Sequence, residues 1–297
     1  MFIGRDLVVS LDDKNGIRKK VAFGLAKKYI AGSTTTSMLK KVREINDRGW
    51  HATVTLLNDN VTDLSKAKYN TNAYAQVVRE LTRLHLNSDI SIRPTQLGYG
   101  LDSKAFDANL LQLCGIVNGG GNRVWLEHED GADQREIAAI YKRLKKTYSL
   151  GIEVRPGVGG SDIEKFVGVG DSVRVCYDNH FQHEGSAKLY SGLVDSLGAS
   201  KAKVILSSND TRWMRSMVKG NEAYRKNLMF EIPLGYSTRR LNGLEKGRNA
   251  LSFYVPYGKD WAPYIVNRLA EGKMRRIAAK LLGNLNDEID GRGAKDA

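Results

Sequence analysis

Eight short β-prone runs, each separated from the next by a stretch of helical periodicity, constrain this chain more than any other feature. The runs are rich in β-branched and aromatic residues and bounded by turn formers: His51–Leu57, Ile90–Pro94, Arg123–Glu127, Ile152–Arg155, Ser172–Tyr177, Lys203–Ser207, Met229–Leu234 and Ser252–Pro256. Helical patterns follow over Ser65–Leu86, Ser103–Asn118, Ala132–Ser149, Ser161–Val167, Glu184–Leu197, Asp210–Lys219, Thr238–Lys246 and from Asp260 onward. Two further helical patterns, Ile17–Ile30 and Thr34–Asp47, precede the first run. Strict alternation of strand and helix calls for a parallel sheet with right-handed crossovers. Eight such units in 297 residues fit closure into a barrel. The expected fold is α/β, a (β/α)8 TIM-type barrel with N-terminal helices and a C-terminal helix over the strand ends. One domain is expected over residues 1–283, with a polar, glycine-containing tail, 284–297, that frays.

Composition narrows the partners. The chain is 41% hydrophobic and 27% charged, a globular balance, and no apolar run is long enough to cross a bilayer. Its start lacks the basic-then-apolar pattern of a secretory signal. With only Cys114 and Cys176 there is no disulfide framework, so a reducing cytoplasm is the expected location. The net charge of +13 is the one skewed quantity. Its clusters, Arg18-Lys19-Lys20, Lys142-Arg143 with Lys145-Lys146, and Arg275-Arg276, fall in helical segments and read as solvated faces. A nucleic-acid partner, which rests on charge alone, therefore ranks last, while attraction of a small anionic ligand needs no more than this charge.

In a barrel of this kind chemistry belongs at the carboxyl ends of the strands. Those ends carry Arg93, Glu127 with His128, Arg155, Tyr177 with Asp178, Ser208-Asn209-Asp210, and Tyr254. The segment Leu251–Glu271 reads as a strand, a Pro-Tyr-Gly turn and a helix opened by Asp260. Tyr264 and Arg268 lie four apart on that helix and Asn267 three from Tyr264, so all three share a face. A guanidinium beside an oriented phenol is a receptor for a small carboxylate. The alternative is an amphipathic helix whose arginine snorkels to solvent.

These residues also carry a likeness. From about Ala26 to Leu282 the chain resembles the proline dehydrogenase family, through Tyr29-Ile-Ala-Gly32 with Asn46-Asp-Arg-Gly49, Leu57–Asp63, Ser91–Gly98, Trp125–Asp130 and above all Tyr254–Glu271. The resemblance implies an FAD-binding barrel that oxidises proline to pyrroline-5-carboxylate, an oxidoreductase and flavoprotein of amino-acid metabolism with a small amino-acid substrate and an unassigned electron acceptor. Arg93 and Glu127 match the family's lysine and aspartate on strands two and three, and Tyr254 its strand-eight tyrosine, so these three are the implied catalytic residues. Tyr264, Asn267 and Arg268 are the implied substrate contacts. Arg93 and Arg268 as nearby cations would favour the neutral amine that hydride loss requires.

The chain departs from the family pattern in several places. Two adjacent arginines clamp the carboxylate in the family, whereas this chain has Asn267 followed by Arg268; losing one costs roughly 2–5 kcal/mol for an unchanged ligand. At the flavin end, Arg155-Pro156-Gly157 stands where the family has a glutamine. Val175-Cys-Tyr-Asp-Asn179 replaces Val-Lys-Gly-Ala-Tyr, Ser208-Asn209-Asp210 replaces Thr-His-Asp, and Pro233-Leu-Gly235 is shorter than its counterpart. Arg155, Tyr177, Ser208 and Asn209 are the cofactor contacts that remain, with Gly157, Gly159 and Gly160 open to backbone approach.

Other chemistry competes. A barrel that has lost flavin could serve as a metal-dependent or cofactor-free enzyme, or as an amino-acid-binding protein. Glu127, His128 and Asp130, with Asp178, His180 and His183, supply carboxylates and imidazoles from two strand ends. Against a metal, alternation prevents Glu127 and His128 from both facing inward, and His180 and His183 fall in a loop; no metal ligand set is assigned. Asn267→Arg is expected to raise the affinity for proline in a calorimetric titration, because it restores a second carboxylate donor; proline binding to neither form would show that the ligand has changed.

Overall fold

Alternation along the strands builds a closed barrel in a computed structural model of the chain, which describes residues 27–59, 61–155, 167–177, 186–218, 228–235 and 250–265. The strands are β1 (His51–Leu56), β2 (Ser88–Ile92), β3 (Val124–Leu126), β4 (Leu150–Val154), β5 (Ser172–Tyr177), β6 (Lys203–Ser208), β7 (Leu228–Pro233) and β8 (Ala250–Tyr257). Each pairs in parallel with the next, and β8 returns to β1, so that Thr53 lies opposite both Asp89 and Tyr254. The (β/α)8 expectation is met.

The helices begin where short polar side chains satisfy the first free N–H groups. They are α1 (Thr35–Asn46), α2 (Leu64–Arg83), α3 (Ser103–Asn118), α4 (Gln134–Leu144), α5 (Ser186–Ala199) and α6 (Thr211–Val218). Thr34 and Ser37 form a capping box on α1, and Asp63, Asp102 and Asp133 accept from Lys66, Ala105 and Arg135 N–H. Asp210 accepts from Arg212 N–H at 2.9 Å at the start of α6. Each such cap contributes about 1 kcal/mol and fixes where a strand-end loop must stop. Sequence and structure differ most at β2, expected over Ile90–Pro94 and found two residues earlier. Pro94 has no N–H for the ladder and instead opens a 3₁₀ turn, Pro94–Leu97, which leaves Arg93 just past the strand.

Two compact units divide the chain: Ile30–Lys259 holds the barrel, and Met1–Tyr29 with Asp260–Ala297 forms the other. In the second unit the described residues include a helical turn in which Ile265 N–H donates to Trp261 O at 3.1 Å. Most of the expected helix Ile17–Ile30, the helix Ser161–Val167 apart from Val167, the helix Thr238–Lys246, the helix from Asp260 beyond Ile265, and the tail lie outside the described residues.

Outward strand positions such as Val54, Ile92, Leu126, Val173, Leu206 and Phe230 are buried against helix residues including Met38, Tyr74, Leu110, Tyr141 and Met214. Each such side chain contributes about 1.5–3 kcal/mol on leaving water. Inward positions are largely polar, as the bond from Arg174 on β5 to Ser91 on β2 shows, since only the lumen lies between those strands. The seam at β8 is closed by backbone: Leu57 N–H donates to Tyr257 O at 2.7 Å and Gly258 N–H to Gly32 O at 3.0 Å. Gly258 has φ +142°, and a Cβ there would sit 2.6 Å from Leu57 O, so glycine is required.

At the floor of the lumen the Trp125 indole packs over Gly151, where an added Cβ would meet the ring at 2.5 Å. Gly151→Ala is expected to lower stability by about 1–3 kcal/mol in urea unfolding through overpacking; an unchanged midpoint would mean that the indole can shift freely.

Candidate active site at the carboxyl end of the barrel

Strand β2 and its exit carry a polar residue at every second position, Asp89, Ser91 and Arg93, and each anchors one level of the lumen. At the lowest level Asp89 accepts from Trp125 Nε1 at 2.8 Å and from Arg123 N at 2.9 Å. His51 Nε2 lies 3.6 Å from Asp89, and His51 Nδ1 lies 3.1 Å from Ser252 Oγ. Burial alone would push the Asp89 carboxyl up, but His51, Arg123 and the indole N–H outweigh it and hold it below its ordinary value.

The middle level is ionic. Arg174 Nη1 donates to Ser91 Oγ at 2.9 Å and to Glu153 Oε2 at 3.3 Å. Its Nε lies 3.2 Å from Glu231 Oε1, an ion pair without hydrogen-bond alignment, and Ser207 Oγ donates to the same oxygen at 3.0 Å. The guanidinium stacks 4.8 Å from the Trp125 ring centroid and 5.9 Å from that of Tyr254. Arg174 Nη2 and Glu231 Oε2 are buried without a hydrogen-bond partner. Burial raises the Glu153 carboxyl, with Glu127 and Glu231 adding to it, against the charges of Arg155 and Arg174.

At the upper level the three residues expected to be catalytic come together. Tyr254 donates its hydroxyl to Glu127 Oε1 at 2.7 Å, and Arg93 Nε donates to Glu127 Oε2 at 3.3 Å. Arg93 Nη1 also bonds the Asp59 carboxylate. Gln96 Nε2 donates to Asp59 Oδ1 at 2.9 Å and to Leu56 O at 2.7 Å, while its Oε1 accepts from Tyr74 at 2.9 Å and from Arg93 N–H at 3.1 Å. Burial would raise Glu127, but Arg93, Arg174, Ser91 and Tyr254 together hold it below the usual carboxylate range. Burial, helped by Glu127, raises Asp59 despite Arg93.

The remaining expected residues are less concentrated. Arg155 Nη2 lies 3.5 Å from Glu153 Oε1. Tyr177 stacks on Trp213 with centroids 4.5 Å apart and planes at 6°. Ser208 Oγ accepts from Asp210 N–H at 3.0 Å, and Asn209 is half-buried beside it. Tyr264 belongs to the other unit, and Asn267 and Arg268 lie outside the described residues. Glu127 and His128 diverge: the first joins the ionic network, and His128 lies 3.8 Å from Asp130. Among the described residues no group of three or more His, Cys, Asp or Glu is arranged to hold a metal ion; Asp178, His180 and His183 lie outside them.

Sequence reasoning missed Asp59, Glu153, Arg174 and Glu231. A signal was present for three of them. Ile152-Glu153-Val154, Val173-Arg174-Val175 and Phe230-Glu231-Ile232 each place a charge between apolar residues that face the helices, so period two turns the charge into the lumen.

These features define an α/β barrel with a buried ionic lumen and a tyrosine–glutamate–arginine cluster at its carboxyl end. No family model matches the chain. The chain is similar to proline dehydrogenases 1 and 2 of Bacillus subtilis (strain 168), each 22% identical, over 266 and 289 residues that cover 83% and 91% of this chain and 86% and 95% of theirs. The barrel superposes on proline utilization A (PutA) from Bdellovibrio bacteriovorus inactivated by N-propargylglycine, with TM-score 0.73 and 16% identity over 89% of this chain and 35% of that one. PutA from Corynebacterium freiburgense gives 0.71 and 13% over 86% of this chain and 32% of the other, so the chain spans about a third of each PutA. The sequence similarity supports a proline dehydrogenase-like family, and the structural match shows the shared fold.

Asp89→Asn is expected to cost about 1–3 kcal/mol near neutral pH, because it weakens charge-assisted bonds. A depressed folded-state pKa stabilises above the unfolded value, about 3.9, and that contribution is lost as pH falls through the folded value. The gap between the two proteins in urea unfolding should therefore narrow below about pH 4; a constant gap would assign the cost to packing.

Proposed function

We propose that the chain is a proline dehydrogenase-like, flavin-dependent oxidoreductase acting on proline or a related small amino acid at the carboxyl end of its barrel. The observation that carries this reading is the convergence of Tyr254, Glu127 and Arg93 from β8, β3 and the exit of β2. Those are the positions at which the resemblance calls for a tyrosine, an acid and a base-bearing side chain. The named relatives at 22% identity support the same class of reaction.

The described residues are compatible with a flavin. Arg174 offers a buried Nη2 donor with no partner and Arg155 a second cation at the end of β4, whereas Tyr177 packs on Trp213 of α6 and Tyr190 of α5, on the helix side of β5. Ser208 has its hydroxyl oxygen engaged by Asp210 N–H. A bound flavin would supply the hydride acceptor, chemistry that no side chain provides.

The chain's own groups would bind and orient the amino acid. Tyr254, anchored through its hydroxyl, presents its ring as an apolar wall. Glu127, held ionised by Arg93, Arg174 and Tyr254, is a fixed acceptor for the substrate nitrogen. Asp59, raised by burial, is the better proton acceptor of the two and would take the ammonium proton whose loss must precede oxidation.

The deciding experiment is the visible absorption spectrum of the purified chain before and after FAD is added and the excess removed. A retained flavin spectrum that bleaches with a cyclic amino acid is expected. A colourless protein that takes up no FAD would sink the oxidoreductase reading and favour a repurposed barrel. In the flavin-loaded protein, Tyr254→Phe should lower kcat/KM by about 10- to 100-fold, the worth of one bond to a charged acceptor.

A further inference from the structure

Gln96 is fully buried in the 3₁₀ turn that follows β2, and its amide is engaged on every side. Nε2 donates to Leu56 O at 2.7 Å and to Asp59 Oδ1 at 2.9 Å. Oε1 lies 2.9 Å from the Tyr74 hydroxyl and accepts from the Arg93 main-chain N–H at 3.1 Å. A primary amide has two N–H donors and two acceptor sites, so nothing is left over. Its orientation is fixed as well. Turned the other way, the amide would set its oxygen against Leu56 O and the Asp59 carboxylate, and its NH₂ against the Arg93 N–H.

One side chain therefore holds both members of the Asp59–Arg93 pair. Gln96 takes Oδ1 of Asp59, which leaves Oδ2 to Arg93 Nη1, and the same amide takes the main-chain N–H of Arg93. Behind it Tyr74 of α2, also fully buried, accepts from Leu56 N–H at 3.0 Å and lies 2.9 Å from Ser91 O, which ties the amide to β1 and β2. Asn70, one turn before Tyr74 on α2, donates to Gln96 O and to Asn58 O, each at 3.2 Å, and accepts from Asn58 Nδ2 at 2.6 Å. The loop that carries Asp59 and the turn that carries Gln96 thus close on one face of α2.

We propose that Gln96 is a positioning residue of this site, one that presents Asp59 in a single orientation and sets the pH range over which Asp59 can take a proton. The inference rests on the proposed role of Asp59 as acceptor of the substrate's ammonium proton. Burial and then the charge of Glu127 raise the Asp59 carboxyl, and Glu129, held nearby by Thr95, acts in the same sense. Arg93 and the Gln96 N–H oppose them. Removing only the Gln96 donor raises Asp59 further, whereas a loosened loop that let Asp59 into water would lower it toward its ordinary value. The two signs separate positioning from mere support of the loop.

The test is the titration of Asp59 in the full chain, read by NMR of the side-chain carboxyl carbons, with its signal identified by its absence from Asp59→Asn. Gln96→Met keeps most of the side-chain volume and removes the amide. In Gln96→Met the Asp59 midpoint should move to higher pH; a midpoint that stays or moves down would overturn the proposal. Should Gln96→Met fail to fold, the unaltered chain decides. There the Gln96 side-chain amide protons should shift with the Asp59 midpoint and lose that response in Asp59→Asn, and amide protons insensitive to pH would overturn the proposal. In the flavin-loaded enzyme the acid limb of kcat/KM should follow the Asp59 midpoint upward in Gln96→Met. A limb that stays while the midpoint moves would overturn the role of Asp59 in deprotonating the substrate and leave the hold of Gln96 on Asp59 established.

Discussion

The guanidinium of Arg174, 1% exposed on the inner face of β5, is the group to which the rest of the lumen answers. An unpaired charge in such a place costs several kcal/mol, and the mutual attraction of a buried pair offsets that only when the remaining donors and acceptors are also met. The barrel supplies Glu153 from the neighbouring strand, Glu231 from two strands on, and Ser91 from across the lumen. The charge of Arg174 also acts on Glu127, which joins it to the cluster at the strand ends. The geometry of Glu127, and through it of Tyr254 and Arg93, is thus fixed from below by an ion network and not by apolar packing. The aromatic rings of Trp125 and Tyr254, both within 6 Å of the guanidinium, help to exclude water from it and so strengthen these bonds.

Much of this was legible in the sequence. Strand–helix alternation carried the topology, because a parallel strand buried on both sides must be short and rich in β-branched residues, and its return must be a helix. Strand ends then gave Arg93, Glu127 and Tyr254 as neighbours though they are 34 and 127 residues apart in the chain. What the sequence did not yield was the depth of the polar interior. Attention to strand ends overlooks charges in mid-strand, and Arg174, Glu153 and Glu231 sit there. Asp59 was missed for a different reason. It lies in the loop between β1 and α2, where an aspartate reads as a turn former, and only the closed barrel brings it to Arg93.

The acidic surroundings of Arg93 were likewise not visible in the sequence. A lone arginine near a substrate amine would favour the neutral amine. Bonded to Asp59 and Glu127, and acted on by Glu129, its charge is more than cancelled, and its own proton is held more firmly than usual against the opposing effect of burial. The two acids beside it differ in character: Glu127 is held ionised, and Asp59 is raised toward proton acceptance.

Net charge and local charge act at different ranges, which removes the apparent conflict between a basic chain and an acidic site. Within about a Debye length, about 8 Å at physiological ionic strength, exposed charges act on an approaching ion, so the +13 shapes encounter near the surface. Inside the lumen screening is weak, and the three carboxylates around Arg93 dominate what a bound ligand feels. Under the proposed function a zwitterion would suit both regimes: its carboxylate would be drawn by the surface, and its ammonium would meet the acids around Arg93.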